Sequence, residues 1–182
     1  MKKHRVPAKD KLAEVALVAL DLDGVLTDGG KQYGPSGLSG LTFNARDGLG
    51  IYLLQKAGID LVLLTSECGD IVRSRASDLG ISEVLESLDN KRTALRLVRE
   101  RRQLRTEQLL FVGDDLWDLE AFPEAGVRVA VADATPQVVA GADWVTIRHG
   151  GHGAVREVAD ALLAARDVDP LTLLRDRKET DG

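Results

Sequence analysis

Runs of apolar residues without a polar face recur along the chain and predict buried β-strands. In the first run, residues 15–20, every position is apolar. Such a run is typical of a central strand in a parallel sheet, because helices cover both faces of that sheet. Later runs of mostly apolar residues occupy 61–64, 109–112, 127–131 and 144–147. The pattern therefore predicts five parallel strands.

The intervals between these runs carry helical patterns. Apolar residues recur there at helical spacing, with polar residues between them. The predicted helices cover residues 48–56, 70–79, 90–102, 116–124, 136–140 and 154–165. Because strands and helices alternate, the predicted fold class is α/β, with a doubly wound, Rossmann-like parallel sheet.

One interval departs from this alternation. Residues 28–45 are rich in glycine and contain two short stretches suited to strands. Glycine-rich turns between short strands are typical of a β-hairpin. We predict a small hairpin insertion here, and no segment between strands is long enough to form a large cap.

Composition and charge exclude several classes of function. The 24 Lys and Arg against 29 Asp and Glu give a net charge of -5, so broad attraction to nucleic acid or to an anionic membrane is excluded. A single cysteine, Cys68, excludes an intramolecular disulfide and a cysteine-based zinc cluster. No apolar run is long enough to cross a bilayer. We therefore expect a cytoplasmic protein without a nucleic-acid or membrane partner.

The 182 residues suffice for one domain with its own core. We place an N-terminal extension at residues 1–12, the domain at 13–167 and a C-terminal tail at 168–182. The end of this tail is rich in charged residues, and such termini commonly fray.

Acidic residues follow the predicted strands at the edge where open α/β sheets bind ligands. Asp21 and Asp23 follow the first run, and Asp114 and Asp115 follow the third. Carboxylates crowded at one edge repel one another unless a hard cation lies between them. Oxygen ligands without histidine or cysteine suit Mg²⁺ rather than zinc. The sequence therefore predicts a magnesium site.

The same edge carries groups suited to phosphoryl transfer. Asp21 and Asp23 lie two residues apart, so both side chains can face one pocket after the strand ends. One carboxylate can then attack phosphorus while the other donates and withdraws a proton. Lys91 and the hydroxyl group of Thr65 can supply positive charge and hydrogen bonds to the phosphoryl oxygens.

Four ordered segments, 21–28, 64–65, 89–91 and 113–118, together resemble the four motifs of the haloacid dehalogenase-like phosphatases. Further segments resemble the small, capless branch of that family, which dephosphorylates 3-deoxy-octulosonate 8-phosphate and related nine-carbon keto-sugar acid phosphates. These segments are residues 43–50, 129–134 and 150–157. The resemblance covers residues 13–165 and implies the same fold with a hairpin in place of a cap.

The resemblance implies a role for each matching residue. Asp21 is implied as nucleophile and metal ligand, and Asp23 as the general acid and base whose backbone carbonyl also binds the metal. Thr65 and Lys91 are implied to bind the phosphoryl group. Asp114 is implied as a ligand of the Mg²⁺ ion, and Asp115 as a residue that supports the metal shell. Members of the branch form tetramers through the hairpin, and a glycine-rich C-terminal segment helps to close a neighbouring subunit's site, so a homotetramer is expected.

Residues that differ between relatives leave the sugar open. Glu67 stands where the octulosonate phosphatases carry arginine and resembles the nonulosonate branch, although an exposed acid at a helix start is the alternative. Asp78 stands where that branch carries lysine, and Arg75 is a nearby substitute. Arg46 looks more like the octulosonate branch. Arg46 and Arg156 are candidates to bind a substrate carboxylate, with surface ion pairs as the alternative.

The leading functional hypothesis is a Mg²⁺-dependent phosphomonoesterase that forms an aspartyl-phosphate and acts on a phosphorylated eight- or nine-carbon sugar or keto-sugar acid. The alternative is a catalytically idle assembly module, similar to domains fused to sialic-acid nucleotidyltransferases. A phospho-acceptor receiver domain is disfavoured because Asp23 places an acid/base beside the nucleophile. Asp118 is interpreted either as a residue that orients Lys91 or joins the outer metal shell, or as a solvated acid.

Overall fold

The computed structural model describes residues 4–180, with side chains to Arg175. Its main sheet has six strands, and every neighbouring pair is parallel. In sheet order the strands are β5 (Val84–Leu85), β4 (Asp60–Leu64), β1 (Leu17–Asp21), β6 (Leu109–Gly113), β7 (Val127–Ala130) and β8 (Trp144–Val145). The chain runs from β1 outwards to β5 and then returns to β6 on the other side of β1. The carboxyl ends of β1 and β6 therefore lie at the point where the strand order reverses, which is where such sheets bind ligands.

Strand β1 packs into hydrophobic cores on both faces of the sheet. Val18 and Leu20 belong to one core, and Leu17 and Ala19 belong to the other. Because successive side chains of a strand point to opposite faces, a strand covered on both sides needs apolar residues throughout. This burial explains the first apolar run, and the predicted α/β class is confirmed.

Helices cover both faces of the sheet. The bounds of the helices are α1 (Lys9–Ala13), α2 (Ala45–Lys56), α3 (Asp70–Asp78), α4 (Lys91–Arg101), α5 (Pro136–Gly141), α6 (Ala154–Ala165) and α7 (Pro170–Thr180). Buried side chains of α2, α3 and α6 join the core that contains Leu20, whereas those of α4 and α5 join the opposite core. None of the helices within residues 4–180 combines the length and the apolar character needed to span a bilayer.

A hairpin separate from the main sheet follows β1. After an irregular turn (Leu22–Leu26), the antiparallel strands β2 (Thr27–Gly34) and β3 (Gly37–Phe43) form a two-stranded sheet. The predicted hairpin is confirmed. Phe43 packs against the core, while Tyr33 is 70% exposed.

Three segments differ from the sequence expectations. The predicted helix at 116–124 is two short 3-10 segments, Leu116–Glu120 and Phe122–Glu124, because Pro123 lacks the N–H that a continuous helix needs. Leu12 of α1 is buried in the core, although residues 1–12 were expected to be an extension. Helix α7 forms within the expected tail, whose last two residues, like residues 1–3, lie outside the described part of the chain.

Candidate active site

A cavity of about 490 Å³ opens at the carboxyl ends of β1 and β6. Among the described residues that line it, Lys91 is the only basic one, and Trp117, 68% exposed, lies against the same space. Six acids line the cavity: Asp21, Asp23, Asp89, Asp114, Asp115 and Asp118. The structure thus brings together Lys91 and five acids that the sequence singled out, all of these six except Asp89. Thr65 and Glu67 are not among the lining residues.

Lys91 is the central cation of this cavity. It begins helix α4, which Asn90 caps by accepting a hydrogen bond from the backbone N–H of Thr93 at 2.7 Å. The Lys91 ammonium donates to Oδ1 of Asp21 and, at 2.7 Å, to Oδ1 of Asp118. Burial alone lowers the pKa of Lys91, but the charges of the two carboxylates outweigh it and raise the pKa. Lys91 is therefore charged when it faces Asp21.

Asp118 fixes the position of Lys91. Its side chain is buried, and its Oδ2 accepts hydrogen bonds from the backbone N–H groups of Asp114 at 2.7 Å and Asp115 at 3.3 Å. The interpretation of Asp118 as the residue that orients Lys91 is confirmed, and a solvated acid is excluded. Its spacing, four residues after Asp114, is the signal that the sequence offered.

Three carboxylates form a group that can hold a metal ion. One oxygen atom each of Asp21, Asp114 and Asp118 lies within 4.8 Å of the others. Burial, followed by the charge of Asp118, raises the pKa of Asp21 to about 7. Burial, followed by the charge of Asp21, raises the pKa of Asp114 to about 8. Oxygen donors with excess negative charge fit a hard divalent cation.

Two predicted metal residues lie outside this group. Asp23, whose expected metal contact is its backbone carbonyl, lines the cavity, and its side chain is paired with a lysine of the hairpin. Asp115 caps the 3-10 segment Leu116–Glu120, since its Oδ1 accepts a hydrogen bond from the backbone N–H of Leu116 at 2.7 Å. Their roles at the metal stay predictions.

Glycines allow the turn after β1 to approach the carboxylates. Gly24 has a φ of 80°, and a Cβ atom there would lie 2.1 Å from Oδ2 of Asp114. A Cβ atom on Gly150 would lie 1.7 Å from the carbonyl oxygen of Gly24. A side chain at either position would clash with these atoms, so the turn after β1 needs both glycines to lie this close to Asp114 and to residue 150.

Lys31 of strand β2 connects the hairpin to the edge of the main sheet. Its Nζ lies 3.0 Å from Oδ2 of Asp23 and 2.5 Å from Oε2 of Glu67. Thr65, which is buried, accepts a hydrogen bond at Oγ1 from the backbone N–H of Glu67 at 3.0 Å. Sequence reasoning did not identify Lys31, because a lysine on an exposed strand has no local pattern that marks a tertiary contact.

The predicted substrate-binding arginines do not line the acidic cavity. Arg46 and Arg156 line a separate cavity of about 190 Å³. The neighbouring Asp47 accepts hydrogen bonds from the backbone N–H groups of Gly153 at 3.0 Å and Arg156 at 2.8 Å. The guanidinium of Arg75 lies 5.2 Å from the centre of the Phe43 ring. Substrate contacts of these arginines stay predictions.

Comparison with known proteins identifies the family. The sequence profile of the haloacid dehalogenase-like hydrolases matches residues 60–158. The 3-deoxy-D-manno-octulosonate 8-phosphate phosphatase of Escherichia coli K12 is 39% identical over 156 residues, which cover 86% of this chain and 83% of that enzyme. The chain belongs to the haloacid dehalogenase-like hydrolase family.

Solved structures of other haloacid dehalogenase-like hydrolases have the same fold. The Moraxella catarrhalis 3-deoxy-D-manno-octulosonate 8-phosphate phosphatase, in complex with magnesium, phosphate and KDO, superimposes with a TM-score of 0.84 at 36% identity, covering 87% of this chain and 91% of that one. The cobalt-bound Haemophilus influenzae enzyme gives 0.84 at 39% identity, covering 86% and 92%. Metal binding in these relatives agrees with the acidic group of Asp21, Asp114 and Asp118 in this hydrolase.

Proposed function

We propose that this hydrolase is a Mg²⁺-dependent phosphomonoesterase that releases inorganic phosphate from a phosphorylated eight- or nine-carbon keto-sugar acid. The observation that carries the proposal is the cavity that holds Asp21, Asp23 and Lys91 together at the end of β1. The names of the relatives favour 3-deoxy-D-manno-octulosonate 8-phosphate within this class. No contact in the described residues favours the alternative of an idle assembly module.

The proposed reaction passes through an aspartyl-phosphate. The Asp21 carboxylate attacks phosphorus while the bond from phosphorus to the sugar oxygen breaks, and Asp23 donates a proton to that oxygen. Asp23 then accepts a proton from water, whose oxygen attacks phosphorus and displaces Asp21. Lys91 holds Asp21 in place, and Thr65 stands at the adjacent strand end to bind the phosphoryl group.

The acidic group supplies the proposed magnesium ligands. Asp21 and Asp114 would hold the ion, with Asp118 beside them. Bound Mg²⁺ would neutralise the carboxylates and polarise the phosphoryl oxygens. Lys91 by itself cannot balance the charge of three carboxylates and a phosphate dianion.

A substrate panel tests the proposed function. Phosphate release is measured with Mg²⁺ and with EDTA for octulosonate 8-phosphate, nonulosonate and N-acetylneuraminate 9-phosphates, octose phosphates and hexose phosphates. We expect Mg²⁺-dependent release with preference for octulosonate 8-phosphate. Preference for a nine-carbon acid would instead give Glu67 a direct substrate role. No release from any substrate would favour the assembly module.

The substitution Asp114→Asn tests the metal site. We expect the Mg²⁺ concentration for half-maximal activity to rise at least about tenfold, because a ligand carboxylate becomes a neutral amide. Asp115→Asn is the matched comparison, since asparagine also caps helices, and its effect should be clearly smaller. Equal metal dependence of Asp114→Asn and the unsubstituted chain would remove Asp114 from the site.

Magnesium affinity is expected to rise with pH between about 6 and 8. The pKa values of Asp21 and Asp114 are raised to about 7 and about 8 without metal, so both groups carry protons at pH 6. A bound cation must displace these protons, and each displaced proton makes affinity rise up to about tenfold per pH unit. Calorimetric titration in two buffers of different ionisation enthalpy measures the protons released. Affinity that is independent of pH would contradict the raised pKa values.

We also propose that the chain assembles as a homotetramer through its hairpin. The support is the resemblance to the capless branch together with the exposure of the hairpin, on which Tyr33 is 70% exposed. Location in the cytoplasm stays a prediction from the sequence.

A further inference from the structure

Lys31 contacts the carboxylate proposed as general acid and base. Its ammonium lies 3.0 Å from Oδ2 of Asp23. The other oxygen of Asp23, Oδ1, is buried and has no hydrogen-bond partner among the described residues. Oδ2 is therefore held by a cation, whereas no hydrogen bond from the described residues fixes Oδ1.

The second contact of Lys31 anchors it to the sheet. Glu67 follows β4, and its Oε2 lies 2.5 Å from Nζ of Lys31. The backbone N–H of Glu67 donates to the buried Thr65. The hydrogen bond that Lys31 donates to Glu67 raises the pKa of Lys31, and the contacts with Asp23 add to this effect despite partial burial. Lys31 is thus a cation that joins the hairpin to the residues that follow β1 and β4.

The position of Asp23 needs such support. Asp23 lies in the irregular turn Leu22–Leu26 and has extended backbone angles there, followed by Gly24 with a φ of 80°. A proton donor must be held within hydrogen-bond distance of the oxygen that leaves, and small displacements reduce the rate strongly. In the described structure, the Lys31 contact is the side-chain ion pair that holds the Asp23 carboxylate.

We infer that Lys31 is a positioning residue that holds Asp23 for proton transfer to the leaving oxygen, with Glu67 as its anchor. The inference rests on the proposed function. In the step concerned, the bond from phosphorus to the leaving oxygen breaks as the bond from Asp21 forms, and the proton of Asp23 passes to that oxygen. Lys31 stays protonated in this step and contacts the Asp23 carboxylate that is left after the proton transfer.

The dependence of the rate on the leaving group separates this role from substrate binding. Phenyl phosphate and p-nitrophenyl phosphate have similar shapes and no sugar, but p-nitrophenolate is stable enough to leave without a proton. The constant kcat/KM reports steps up to the first irreversible phosphoryl transfer, so the shared hydrolysis of the aspartyl-phosphate does not enter it. A defect in proton donation must therefore lower kcat/KM more for phenyl phosphate.

The test is the substitution Lys31→Met, which keeps length and removes charge. We expect kcat/KM to fall about 10- to 100-fold for phenyl phosphate and less than about threefold for p-nitrophenyl phosphate. Lys31→Arg should restore most of the loss. In an Asp23→Asn background, Lys31→Met should have little further effect, because the two residues act through one proton transfer.

Lys9→Met is the matched control. Lys9 lies on α1, is 61% exposed and pairs with Asp167. It is not among the residues that line the cavity, so Lys9→Met should leave both rates unchanged. An equal fall for both phosphates in Lys31→Met, or no fall, would overturn the inference while the proposed function stands. Absence of Mg²⁺-dependent release from either phosphate and from every sugar phosphate by the unsubstituted chain would overturn both.

Discussion

Asp21→Asn is expected to reduce phosphate release by about 10⁴-fold or more while the protein stays folded. The amide nearly matches the carboxylate in size, and its oxygen can still accept a hydrogen bond from Lys91. It is a very poor nucleophile, so the aspartyl-phosphate cannot form. Phosphate release with saturating Mg²⁺ measures the effect, and circular dichroism together with urea unfolding establishes the fold.

The same substitution at the opposite edge of the sheet is the control for Asp21. Asp60 begins β4, is exposed and pairs with Arg102. Asp60→Asn therefore removes a surface charge of the same kind and should leave turnover within about twofold, as expected for a surface pair. Turnover of Asp21→Asn at the unsubstituted rate would exclude nucleophilic catalysis by Asp21.

Lys91→Met is expected to affect both activity and stability. The substitution removes the cation that faces Asp21 and Asp118. Loss of one partner of a buried ion pair commonly costs about 3–5 kcal/mol, and protonation of the raised-pKa carboxyls reduces this cost at low pH. Because folded pKa values above the unfolded values disfavour folding as pH rises, the free energy of unfolding should fall further between pH 6 and 8.

Urea unfolding of the metal-free protein at both pH values measures this effect of Lys91→Met, and added Mg²⁺ should return part of the stability. Phosphate release should fall at least about 10³-fold, since phosphoryl charge loses its cation. Lys56→Met is the control, because Lys56 is an exposed lysine at the end of α2. A Lys91→Met protein as stable as the unsubstituted chain at pH 8 would show that Lys91 is not the required counter-charge.

Elements stabilised by their own apolar pattern could be predicted from the sequence, whereas elements stabilised by pairing with a distant strand could not. Strand β1 is buried on both faces, so its apolar run alone revealed it. Strand β5 has two half-buried residues, Val84 and Leu85, which is too short for a periodic pattern. It forms because β4 offers hydrogen bonds to it. The segment after Asp115 was predicted as one helix since its residues favour helices, but Pro123 divides it.

The residues of the candidate site likewise include some that the sequence could place and others that it could not. Asp21, Lys91 and Asp114 follow strands or begin a helix, so topology places them together before any coordinates are known. The role of Lys31 depends on where the hairpin lies relative to β4, which no local pattern specifies. Arg46 lines a different cavity of the described structure, beside the capping contacts of Asp47 with α6, and its contact with substrate stays a prediction.

The two tryptophans give the molecule an internal optical probe. Trp144 is completely buried in the core, whereas Trp117 is 68% exposed beside the acidic cavity. Indole fluorescence depends on contact with water, so the two emissions lie at different wavelengths. A ligand that covers Trp117 would remove water from its indole ring, whereas the buried Trp144 would serve as the reference. Ligand binding in the cavity can therefore be measured as a shift in the tryptophan emission wavelength, without an attached dye and without turnover.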